Sequence, residues 1–97
     1  MTHSQGDASC VRDATDRLRA LVERRRPDLL ELFDRTVSVR VNGGLFSDDV
    51  AWISALDDVV RVLQRAGAGP VVREAMDVHA CPSAYMTAAR LGTLIPG

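Results

Sequence analysis

Thr36-Val37-Ser38-Val39-Arg40-Val41 is the stretch on which the fold class turns. Read with a period of two it is a β-strand. Branched side chains recur along it, and Asn42-Gly43-Gly44 behind it has the composition of a hairpin turn. A hairpin needs a second strand. Only Leu45-Phe46 follows before Ser47-Asp48-Asp49, a capping hydroxyl and two acids that signal a helix start. A lone strand has no partner for its backbone. The stretch is therefore read as the end of a helix closed by Asn42 or Gly43, and the chain as all-α.

The pattern on either side agrees. Upstream, Pro27 is placed to open this helix, because the residue before a proline avoids helical backbone angles. Asp28 and Glu31 put negative charge in its first turn, and Leu29, Leu30, Phe33 and Val37 form its apolar stripe. Before it, Val11, Ala14, Leu18, Leu21 and Val22 predict a helix from Ser9 to about Arg25, with Asp13 and Arg17 paired across one turn. Residues 1–8, MTHSQGDA, lack periodicity and read as a flexible tail, leaving residues 9–97 as one helical domain.

Downstream, Asp48 to Ala66 carries the strongest stripe: Val50, Ile53, Leu56, Val60 and Leu63, widened by Trp52, Val59 and Val62. That breadth predicts a central helix touched on several sides. Gly67 ends it. Pro70 opens a further helix with Val71, Val72, Ala75, Met76 and His79 inward. Pro82 ends that helix and starts the last one, with Tyr85, Met86, Ala89 and Leu91 inward and Gly92 as the stop. The expected architecture is a single-domain compact bundle of about five helices.

Composition narrows the function classes. The chain has 97 residues, 46% of them hydrophobic, which is ordinary for one globular domain and excludes a disordered tail, a collagenous repeat and a two-domain enzyme. Aromatic residues are only Phe33, Phe46, Trp52 and Tyr85, so the core rests on Leu, Val, Ile and Ala. Small aliphatic cores often gain stability by dimerising. All 12 basic residues are Arg, which fits GC-rich coding and a bacterial source. Cys10 and Cys81 are too few for a disulfide framework. The N-terminus has no apolar signal-peptide core, and no apolar run approaches ~18 residues. These points together predict a cytoplasmic protein with both thiols reduced and no membrane span.

Residues that could carry chemistry are few. A zinc site would have to use His3, Cys10, His79 and Cys81 together, and only His79 and Cys81 are close in sequence. Cys81 directly before Pro82 could cap a helix, a position that activates thiols, yet a buried inert cysteine explains it as well. Asp48-Asp49 and Asp57-Asp58 are adjacent pairs, which on a helix diverge by ~100° and cannot converge on one substrate atom. Neither Asn42-Gly43-Gly44 nor Gly67-Ala68-Gly69 has the Lys and Ser/Thr of a phosphate grip. No catalytic, cofactor or metal residue is assigned.

Arg24-Arg25-Arg26 is the one basic cluster, placed where a helix C-terminus favours cations and just before the next helix N-terminus. Residues 10–42 hold eight Arg against six acids, and residues 43–97 four against six. That split is too even for a nucleic-acid face. The sequence therefore predicts a non-catalytic protein–protein interaction domain acting as an adaptor, accessory subunit or regulator. Its partner is another protein or a second copy of the chain. Its binding residues are Arg24, Arg25, Arg26, Asp28 and Trp52, because Arg and Trp are favoured at interface hot spots. The alternatives are a helical nucleic-acid-binding regulator and a reactive-thiol sensor or enzyme centred on Cys81.

Overall fold

The structure, a computed structural model, describes residues 3–43 and 48–94. Five α-helices follow in order: α1 His3–Arg25, α2 Leu30–Val41, α3 Asp48–Arg65, α4 Gly69–Ala75 and α5 Pro82–Arg90, with a 3₁₀ turn at Pro27–Leu29 leading into α2. No strand occurs among the described residues. Leu45, Phe46 and the expected capping Ser47 lie outside them, as do Ile95 to Gly97.

Residues 36–41 are helical, as the missing second strand requires. The Asn42 amide donates to the Ser38 carbonyl at 2.9 Å, and the Asn42 side chain donates to Ser38 Oγ at 2.9 Å. The Thr36 hydroxyl donates to the Leu32 carbonyl at 2.8 Å, so a β-branched residue is accommodated inside the helix. A strand would have put Val37, Val39 and Val41 on one face. The helix instead half-buries Val37 and leaves Val39 66% exposed.

α3 is the centre of the bundle and touches all four other helices. Ala51, Ala55, Leu56, Val59, Val60 and Leu63 are buried along it. Of these, Leu56, Val59, Val60 and Leu63 cluster with Val11, Ala14, Leu18 and Val22 from α1, Phe33 from α2, Val71, Val72 and Ala75 from α4, and Ala84 and Ala88 from α5. Each fully buried Leu or Val contributes about 1.5–3 kcal/mol. Salt bridges frame this core: Arg40 Nε to Asp58 at 2.5 Å joins α2 to α3, and Arg19 to Asp34 at 2.7 Å joins α1 to α2.

Two glycines set the turns that return the chain. Gly67 has φ +81° and Gly92 φ +88°. After α3, Ala68 donates to the Leu63 carbonyl at 2.8 Å and Gly67 to Gln64 at 3.2 Å; after α5, Thr93 donates to Ala88 at 3.1 Å and Gly92 to Ala89 at 3.0 Å. Both are Schellman closures, which need a left-handed residue at the glycine. The end of α5 is held further by Gln64 Nε2 donating to the Leu91 carbonyl at 2.6 Å, and by the Arg73 guanidinium donating to the Thr93 carbonyl at 3.0 Å.

Four expectations are corrected. First, α1 begins at His3 rather than Ser9, so residues 3–8, expected as tail, are helical. Extending an existing helix costs little once its nucleus is packed, and such an extension needs no apolar stripe. Second, α4 stops at Ala75, with Met76 extended. The Asp77 carboxylate accepts from the backbone amides of His79 and Ala80 at 2.9 and 3.3 Å, and this local capture replaces the helix expected to run on to Pro82. His79 is exposed.

Third, of the α5 residues expected inward, Tyr85, Ala89 and Leu91 do pack against the core but Met86 does not. Ala84, Thr87 and Ala88 are buried, whereas Met86 is 61% exposed. Small residues let the helix lie close to its neighbours, and that displaces the larger side chain. Fourth, Cys10 and Cys81 are not free thiols but form a disulfide, Cα to Cα 5.5 Å, across 71 residues. It ties α1 to the start of α5. Folding brings the two cysteines together, and no sequence spacing reports it.

Two outcomes follow for stability. Replacing both cysteines by serine, or reducing the bond, should cost about 3–4 kcal/mol for so long a closed loop and lower Tm by roughly 15–25 °C. A thermal melt with and without reductant checks this, and mass spectrometry of the unreduced chain should find it lighter by two hydrogens. Gly67→Ala should cost about 1 kcal/mol in urea unfolding, because alanine must adopt the left-handed backbone there.

Candidate protein-interaction surface

The arginine corner forms where α1 ends. Arg25 Nη2 lies 2.8 Å from Glu74 Oε2 on α4. Arg26 pairs through two nitrogens with Asp28, at 3.2 and 3.1 Å. That hydrogen bonding holds the Asp28 carboxyl below its ordinary range and raises Arg26. Arg24 is exposed and meets no acid among the described residues. Two of the three arginines are thus compensated within the fold, so the corner presents much less charge than the sequence suggests.

Trp52 is elsewhere. It is half-buried on α3, and the Arg12 guanidinium sits 5.4 Å from its ring centroid. Arg12 and Arg25 are both on α1, roughly 20 Å apart along its axis at the helical rise. The structure therefore brings Arg25, Arg26 and Asp28 together but does not join Trp52 to them.

A cleft of about 290 Å³ beside Trp52 is lined by Thr15, Phe33, Val37 and the Arg19–Asp34 pair. Arg19 reaches both Asp34 oxygens, at 2.7 and 2.9 Å. These bonds hold the Asp34 carboxyl below its usual value. The acid pair of α3 diverges as helical geometry demands: Asp58 faces Arg40, and Asp57 faces Arg61 and Arg90. No general acid–base pair is formed there.

A second apolar feature involves residues whose spacing predicts core positions. A groove of about 360 Å³ runs between α1, α3 and α5, lined by Val11, Ile53, Leu56, Pro82, Met86 and Arg90 among others. Ile53 is 41% exposed and Met86 61% exposed, and Val50, one turn before Ile53, is 44% exposed. The signal that would have found it is the second stripe of α5: Ala84, Thr87, Ala88 and Leu91 are spaced for burial, which leaves Pro82, Met86 and Arg90 on another face.

No protein-family model, curated protein or solved structure matches this chain. Among the described residues, no helix is long and apolar enough to cross a membrane.

The Arg19–Asp34 pair makes a pH prediction. A lowered carboxyl contributes stability above the unfolded value near pH 4 and loses it as pH falls through the folded value. Both groups are about half exposed, so the contribution at pH 7 is small. Asp34→Asn should therefore destabilise slightly at pH 7 and match the unsubstituted chain at pH 2, as read by urea unfolding at both.

Proposed function

We propose that the chain is a non-catalytic helical protein–protein interaction domain whose main contact surface is the groove between α1, α3 and α5. The observation that carries this is the apolar groove lining, in which Ile53 and Met86 are left exposed side by side, whereas Leu32, Val39 and Val78 are exposed outside it. Exposed apolar surface grouped in a groove marks a contact site more often than isolated exposed residues do. Arg24 remains available at the far corner for a peripheral contact.

The alternatives draw less support. A nucleic-acid face wants arginines turned outward together, whereas Arg19, Arg25, Arg26 and Arg40 each face an acid of the same chain. Thiol chemistry at Cys81 lacks its thiol, because the sulfur is bonded to Cys10 and the residue is 3% exposed. The sequence predicts a cytoplasmic protein with both thiols reduced, and the Cys10–Cys81 bond departs from the second half of that expectation. A disulfide fits an oxidising compartment better, and we place the protein in one.

A photo-crosslinking residue at position 86, and separately at position 24, tests the assignment in cells of the source. Position 86 should give a discrete protein adduct that excess unlabelled chain competes away. The reading fails if position 86 gives no competed adduct, and the groove yields to the arginine corner if only position 24 does.

A further inference from the structure

The groove has a charged end. Among the described residues, its rim and the next turn of α3 carry Arg90, Arg61 and Asp57. Asp57 Oδ2 is 3.5 Å from Arg61 Nη2, and Asp57 Oδ1 is 3.6 Å from Arg90 Nη2. Two guanidiniums thus share one carboxylate, and neither contact is as short as a strong charge-assisted bond, about 2.7–2.9 Å. The buried Oδ1 has no hydrogen bond among the described residues. The Arg61 side chain is 49% and that of Arg90 70% exposed, so both guanidiniums are open to solvent. The cluster keeps a positive balance beside an apolar trough. A second carboxylate would find unspent donors there, and an ammonium would meet two like charges.

The extent of the patch says what kind of body fits it. Of the groove's apolar lining, Ile53 and Met86 are 41% and 61% exposed, together about one side chain of apolar surface. A stable interface between two copies uses about 20–30 residues a side. A two-fold pairing through this groove would also set each copy's Arg90 toward its counterpart patch. A helix laid in the trough needs only anchors at i and i+4, on the order of two side chains for a cavity of this size. The thioether of Met86 adapts readily to such anchors.

We propose that the groove receives an acidic amphipathic helix of another protein: two apolar side chains one turn apart seat against Val11, Ile53, Leu56 and Met86, and a carboxylate beyond them meets Arg90 and Arg61. This rests on the reading of the groove as the contact surface and adds the chemistry of the partner.

The test is a displayed library of helical peptides selected on the intact disulfide-bonded chain. An apolar pair at i and i+4 is fixed, and the flanking positions vary among Glu, Lys, Gln and Ala. Peptides retained by the Met86→Asp chain are discarded. Glu should be enriched one turn beyond the apolar pair. For a selected peptide, Arg90→Gln with Arg61→Gln should weaken binding about three- to tenfold and abolish its preference over the Glu→Lys peptide. Circular dichroism of each variant confirms that it is folded. Enrichment of Lys, or no charge bias among peptides that need Met86, overturns the acidic partner while leaving the groove as a contact surface. Failure to select any Met86-dependent peptide overturns this proposal, and the crosslink at position 86 separately decides the broader reading.

Discussion

Everything in this bundle is referred to α3. Val59, Val60 and Leu63 are sealed from water among the other helices, so each of those helices takes its position from the side of α3 that it covers. The chain is short and nearly without aromatic residues. Its stability therefore depends on many small aliphatic contacts around one element rather than on a few large ones. On α5 the buried residues are small, Ala84 and Ala88, while the larger Met86 stays outside the core.

That arrangement connects packing to function. α5 buries its alanines and Thr87, and in doing so turns Met86 out beside Ile53. The groove lies where the buried stripe of α5, Ala84, Thr87 and Ala88, leaves Ile53 of α3 uncovered. Its charged end arises in the same way, since Arg90 on α5 falls within reach of Asp57 on α3. By contrast, the corner that the sequence marks most clearly, Arg24 to Asp28, spends much of its charge inside the fold on Glu74 and Asp28. A run of arginines is a statement about composition until the acids opposite it are known.

The disulfide plays the complementary part. Between Ala75 and Pro82 the chain has no helix, only the Asp77 turn, so α5 is weakly tied to α4 through the backbone. The Cys10–Cys81 bond supplies the missing tie and anchors the start of α5 on α1. It also anchors the groove, whose lining includes Val11 and Pro82, each next in sequence to a bonded cysteine.

By itself the sequence determined the helical class, the central place of α3 and the stops at Asn42, Gly67 and Gly92. These are local or periodic properties: a 3.6-residue apolar repeat, a missing strand partner, a residue able to turn left-handed. Even there the periodic signal was imperfect, since it placed Met86 and His79 inward. Only the tertiary structure decided the cysteine pairing, the neutralisation of Arg25 by Glu74, the distance of Trp52 from the arginine corner and the existence of the groove. Each of these depends on which residues far apart in the chain become neighbours, and that is set by how closely helices pack rather than by any spacing along one of them.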